Sequence, residues 1–454
     1  MERNDIPVIK PFVCNGLYYV YDAFKNQILR VNKEIYIEIC RLQKVGLDHY
    51  FAYDDTDTGS AYSDILMLHT KGFFQKPFVE RISNYDDAYI PLLLDRCVST
   101  LQIQVTQDCN FSCRYCQFAG RNETMRRHTG KSMSEETAKK SVDFLFDHSK
   151  DVSDVFIYYY GGEPLLNFDL IRLTTKYAKQ KFNEKNVTFI AITNGALLDD
   201  SVVDFFEEND IVLIISFDGE KEIQNGHRKR KGDGGDTYDT VLGNILQIKN
   251  NHGEYYKRNV KFNAVSFYDE DREKLDDFFQ KVLQKGTHAV NVIFPDVRGI
   301  DYIYDRSAFP RDGGKKDHQK EYEKVLTAYK YKNENCSIWY GSGNCIPGIQ
   351  KLFVSVDGNF YPCEKVEESE AFTIGNLQAG FNLEKVIAIA QLPNIIVENC
   401  RRCWAIKFCS TCLCYCTDNA TQTISKEVRF NYCKKTHDKV LELLKEYVRE
   451  NEHG

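Results

Sequence analysis

Two hydrophobic periods alternate through the middle of the chain. Short runs rich in β-branched and aromatic residues, at 101–106, 155–160, 187–193, 211–217, 260–267 and 289–294, have the length of strands. Between them apolar residues return every three or four positions. Examples are Ala138, Val142, Leu145 and Phe146, then Val241, Leu242, Ile245 and Leu246, then Leu275, Phe278, Phe279 and Val282. These are stripes of amphipathic helices, and Ser134 stands where the first needs an N-cap. Repeated strand–helix units predict an α/β fold, a parallel sheet with helices outside, and six of them suit an open (β/α)6 barrel. In such sheets ligands sit beyond the C-terminal ends of the strands.

The flanks read differently. Residues 12–22 form an Asn15-Gly16 turn feeding a strand, 28–31 a second strand, and 34–45 a helix with apolar Ile35, Ile39 and Leu42. Together they predict a small winged-helix-like module. Near the other end, 353–362 reads as a hairpin turning at Asp357-Gly358. Three domains are expected, at 1–85, 95–310 and 311–454.

Charge and composition narrow the function. The net charge of −7 over 454 residues gives no basis for bulk nucleic-acid binding. The opening Met1-Glu2-Arg3-Asn4-Asp5 is charged, unlike a signal peptide, and no apolar run approaches a membrane span. A cytoplasmic location is the expectation, where the 16 cysteines are poor candidates for disulfides. Nine of them lie between Cys345 and Cys433, a density that points to metal. Cys14, Cys40 and Cys97 are isolated and read as buried apolar residues.

Cys109, Cys113 and Cys116 follow the first strand with the spacing C-x3-C-x2-C. Three thiolates can hold three irons of a four-iron cluster and leave the fourth open to a ligand. This spacing resembles the signature of the radical S-adenosylmethionine (SAM) enzymes. In that family the open iron binds SAM, and an electron cleaves it to a 5′-deoxyadenosyl radical that abstracts hydrogen. The other strand ends carry Gly161-Gly162-Glu163-Pro164, Thr193-Asn194-Gly195 and Ser216-Phe217-Asp218-Gly219. Glycines there allow close backbone approach. The first matches the family's GGEP motif. The resemblance implies that Gly161, Gly162, Glu163, Pro164, Thr193, Asn194, Ser216, Asp218 and Arg228 serve SAM binding, with Arg228 pairing the SAM carboxylate.

The C-terminal cysteines run Cys345-x12-Gly358-x4-Cys363, then Cys400-x2-Cys403-x5-Cys409-x2-Cys412, Cys414, Cys416 and Cys433. This looks like the SPASM extension of peptide-modifying radical SAM enzymes, which holds two auxiliary four-iron clusters. By that likeness Cys400, Cys403, Cys409 and Cys433 ligate one. Cys345, Cys363 and either Cys412 or Cys414 ligate the other, with Cys412 preferred and Cys336 a candidate fourth ligand. The family's x3 cysteine is here Leu413. Zinc knuckles are the alternative for such a field.

The N-terminal module resembles the recognition domain with which peptide-modifying relatives capture a precursor by β-augmentation. The likeness as a whole implies a maturase that forms thioethers in a cysteine-rich ribosomal peptide, fed electrons by a donor such as flavodoxin or ferredoxin. Glu364, beside Cys363, stands where sulfatase-maturing relatives carry a carboxylate proposed as catalytic proton acceptor. The alternatives are a formylglycine-forming maturase and a non-catalytic zinc-binding adaptor.

Overall fold

The computed structural model describes residues 5–52, 60–76, 81–82, 87–116, 118, 127–265, 272–286, 290–296, 301–303, 338–339, 345–409, 412–418, 421 and 423–451. Cys336 lies outside them, as do the junctions expected near 85 and 311.

At the N-terminal end, β1 (Ile9–Cys14), β2 (Leu17–Asp22) and β3 (Gln27–Val31) form an antiparallel sheet in sequence order. Asn15 and Gly16 at the first turn have φ of 49° and 75°, as a two-residue hairpin requires. Helices α1 (Lys33–Val45), α2 (Leu47–Ala52) and α3 (Ser60–Thr70) follow. Strand β2 buries alternate residues on opposite sides. Val20 packs with Ile39, Leu42 and Ile65 of the helices. Tyr19 and Tyr21 pack instead with Val440, Leu444 and Val448 from the far end of the chain.

Six parallel strands follow: β4 (Thr100–Thr106), β5 (Asp154–Gly161), β6 (Asn186–Thr193), β7 (Val212–Ser216), β8 (Val260–Val265) and β9 (Val290–Asp296). They pair in sequence order. The expected helices lie between them: α4 (Glu135–His148), α5 (Tyr238–Asn251) and α6 (Arg272–Lys281). Ser134 caps α4, its hydroxyl accepting from Thr137 N at 3.1 Å. Phe146 is the exception in the expected stripe, lying outward and 36% exposed. Val155, Ile157 and Tyr159 of β5 are buried under the helices, whereas Tyr158 and Tyr160 on the other face are half-buried.

The six strands do not close on themselves. Strand β4 pairs parallel with β10 (Leu352–Val354), Leu352 opposite Leu101. The hairpin to β11 (Asn359–Tyr361) turns at Gly358, φ 80°. The C-terminal segment thus extends the central sheet, which the sequence pattern does not reveal. A 26-residue helix, α7 (Lys426–Asn451), ends the described chain and supplies the side chains that pack on Tyr19 and Tyr21. Among the described residues no helix is long and apolar enough to cross a membrane.

Candidate active site

The C-terminal ends of β4, β5, β6 and β7 interlock through their loops. The cysteine loop lies along residues 227–231. Ser112 N donates to Lys229 O (2.8 Å), Arg114 N to His227 O (2.7 Å), and Lys231 N to Asn110 O (2.8 Å). On its other side, Gly162 N donates to Thr106 O and Glu163 N to Asp108 O. A Cβ on Gly161 would stand 2.3 Å from Thr106 O, and one on Gly162 would stand 2.0 Å from Asp108 O. The close approach expected at these glycines is therefore to the backbone of the cysteine loop.

Glu163 is a buried strut. Its carboxylate accepts from Leu165 N (3.1 Å), Thr193 Oγ1 (2.7 Å) and Asn194 N (2.7 Å), tying β5 to β6. Burial nevertheless pushes its carboxyl up to about 7. Asn194 in turn donates to Asn110 Oδ1 at 2.7 Å, within the cysteine loop. Pro164 is buried and starts a short 3-10 turn, and Ser216 ends β7 half-buried.

Asp218 and Arg228 form the charged foundation. Arg228 Nε and Nη2 each donate to the Asp218 carboxylate at 3.0 Å, and both residues are buried. Tyr115 Oη (2.8 Å) and Val265 N (2.9 Å) donate to the same carboxylate. Burial alone would raise Asp218, but Arg228, His227 and the Val265 N–H together outweigh it and hold the carboxyl below its ordinary range. Arg228 also lies over the Tyr115 ring, 5.3 Å from its centroid. The fork expected to meet a SAM carboxylate is thus turned to Asp218, because a buried carboxylate ten residues upstream already matches it.

Cys109 and Cys113 are buried, and Cys116 is half-buried with its Sγ 3.9 Å from His128 Nε2. Burial raises Cys109 and pushes Cys113 up to about 12, against the attraction of Arg228. Such thiols keep their protons until a cation replaces them. The donor set fits a cluster: three converging sulfurs with a guanidinium beside one of them. Among the described residues no three His, Cys, Asp or Glu side chains surround a single metal ion. A cubane spreads its thiolates over separate irons, wider than one zinc would.

The C-terminal cysteines form two groups. Cys400, Cys403 and Cys433 are raised by burial and, after it, by the nearness of Cys409 and of one another. Cys414 is in hydrogen-bonding contact with both Cys363 and Cys412, so Cys412 and Cys414 both stand beside Cys363 and the structure does not separate these two candidates. Cys416 is buried between the groups, near Cys412, Cys409 and Cys433. Cys345 is exposed. Cys14 is buried as expected, but Cys40 and Cys97 are only half-buried. Glu364 is paired with Lys351 Nζ at 2.9 Å; burial alone would raise it, but the two lysines 351 and 365 hold it low. It is an ionised partner of Lys351. The sequence reading missed Arg429 and His437, which touch Cys409 and Cys403 from α7.

An open parallel sheet with three cysteines and three further loops at one edge defines an enzyme built to hold a metal cluster and a small ligand there. Residues 103–282 match the family model described as the Radical SAM superfamily, so the chain carries a radical SAM domain. The radical SAM cyclopropyl synthase TigE of Paramaledivibacter caminithermalis is 23% identical, the match covering 87% of this chain and 85% of that protein. A cysteine-type anaerobic sulfatase-maturating enzyme of Clostridium perfringens is 23% identical over 71% of this chain and 90% of its own. An uncharacterised protein of Methanocaldococcus jannaschii is 33% identical, over 32% of this chain and 46% of that protein. The solved structure of native anSMEcpe with bound AdoMet and Kp18Cys peptide shares the fold, with a TM-score of 0.53 and 20% identity over 78% of this chain and 99% of that one.

Proposed function

We propose that this chain matures a ribosomally made, cysteine-rich precursor peptide by forming a thioether within it. Cys109, Cys113 and Cys116 would hold the SAM-binding cluster, with SAM at the ends of β5 to β7. When bound, cluster and SAM supply a radical that takes a hydrogen atom from a peptide carbon. A C–H and an S–H are replaced by one C–S bond, so one hydrogen leaves as an atom, one as a proton, with one electron. The two C-terminal cysteine groups would hold auxiliary clusters, and a flavodoxin or ferredoxin would exchange electrons.

The observation that carries the peptide reading is the N-terminal sheet, a winged-helix-like module in this view. Its strand β3 pairs with β2 on one side, and with no other strand among the described residues. Gln27 and Arg30 on it are exposed. Such an edge can take an extended peptide as one more strand. Incubating reduced enzyme and SAM with a cysteine-rich precursor should remove two hydrogens and one alkylatable thiol per crosslink. Amides of 27–31 should exchange more slowly when the leader part is present. Mass loss with every thiol still alkylatable would favour carbon–carbon ring closure, the activity named for the relative TigE. A new carbonyl at a cysteine would favour the sulfatase-type reaction. Zinc in place of iron would leave the adaptor reading.

A further inference from the structure

Helix α7 carries Arg429, Cys433 and His437 four residues apart, so all three share one stripe. Arg429 Nη2 donates to Cys409 Sγ at 3.1 Å. His437 Nε2 stands 3.1 Å from Cys403 Sγ, its ring 5.2 Å from that of Trp404. Cys433 between them belongs to the same group of four cysteines.

Arg429 is a large cation only 1% exposed. A buried guanidinium is costly unless negative charge faces it. Against the opposing effect of burial, Cys409 first, then Cys433 and Cys416, favour its charge, and it also lies over the Tyr432 ring, 5.7 Å from the centroid. As neutral thiols the cysteines would compensate little. As thiolates on iron they carry the charge the position demands.

Building on the reading that Cys400, Cys403, Cys409 and Cys433 hold an auxiliary cluster, we propose that Arg429, seconded by His437, raises that cluster's reduction potential. Reduction adds one negative charge to the cluster. A fixed cation within hydrogen-bonding distance of a ligand sulfur stabilises the reduced form, and hydrogen bonds to the sulfurs act in the same direction. Low exposure strengthens both effects. A raised potential suits the cluster to accept the single electron released when the thioether C–S bond forms, and to pass it to a small one-electron carrier protein. Arg429 is a positioning residue in this scheme, since it acts through the cluster.

The test is a potentiometric titration followed by electron paramagnetic resonance on the full chain, as wild type, Arg429→Lys and Arg429→Gln. Iron is counted in each. The expected result is a lower midpoint for the C-terminal cluster in Arg429→Gln, by a tenfold or greater shift in its reduction equilibrium, about 59 mV for one electron. Arg429→Lys should fall between it and wild type, and the other clusters should keep their midpoints. An unchanged midpoint in Arg429→Gln would overturn the proposal. So would loss of that cluster from both variants, because the arginine would then be needed for assembly. Zinc or no metal at these cysteines in the wild type would instead overturn the reading beneath it.

Discussion

Replacing Asp218 by Asn tests whether the buried ion pair holds the cysteine loop. The carboxylate receives two bonds from Arg228, one from Tyr115 and one from Val265 N, so it joins the loop to strands β7 and β8. The substitution keeps the volume but leaves a buried guanidinium without its counter-charge. Breaking one side of a buried pair costs about 3–5 kcal/mol. For a domain of this size that is a fall of about 6–20 °C in the unfolding midpoint. Tyr115 sits between Cys113 and Cys116, so the loss should fall first on the iron they are proposed to bind, about four of the roughly twelve that the three proposed clusters would require. Iron analysis, spectroscopy of each cluster and thermal melting provide the assay. Arg228→Met should cost a similar amount, and the double variant less than the sum by about 1 kcal/mol or more, since the two residues form one unit. Wild-type melting together with full iron in Asp218→Asn would refute the reasoning.

Two further outcomes follow from the geometry. Gly162→Ala sets a methyl 2.0 Å from the backbone oxygen of Asp108, beside Cys109, so the loop must shift. It should cost about 1–3 kcal/mol and weaken SAM binding, measured by equilibrium dialysis; unchanged affinity and melting would count against the packing role of that glycine. Lys285 is buried with its ammonium on the carbonyls of Tyr256 and Val260, and burial pulls it down to about 8 from an ordinary 10.5. Between those values the folded chain holds fewer protons than the unfolded one, so its stability should rise with pH, by up to about 1.4 kcal/mol per unit. Lys285→Met should remove that slope from chemical denaturation measured between pH 8 and 10; a slope that persists would show that other groups set it.

The alternation of strands and helices was legible because each element follows one period along most of its length. The Asn15-Gly16 and Asp357-Gly358 turns were legible because few residues other than Gly and Asn adopt the positive φ that Asn15, Gly16 and Gly358 have. What the pattern could not give was partnership. Arg228 announces a forked cation, but only the fold shows Asp218 filling the fork. Gly161 and Gly162 announce a close approach, but the sequence does not say that the neighbour is the cysteine loop. Helix α7 escaped because the buried position in its first half is Arg429, a residue that does not register as a core. The spacing Arg-x3-Cys-x3-His was the available signal. The pairing of β10 with β4 joins residues some 250 apart, and no local period encodes that.

The central claim is that Cys109, Cys113 and Cys116 hold the iron at which SAM is cleaved. The direct measurement is formation of 5′-deoxyadenosine under dithionite by the chain with all three changed to alanine. The account predicts none above background, with about two thirds of the iron retained at the C-terminal cysteines. Cleavage at the wild-type rate would contradict it.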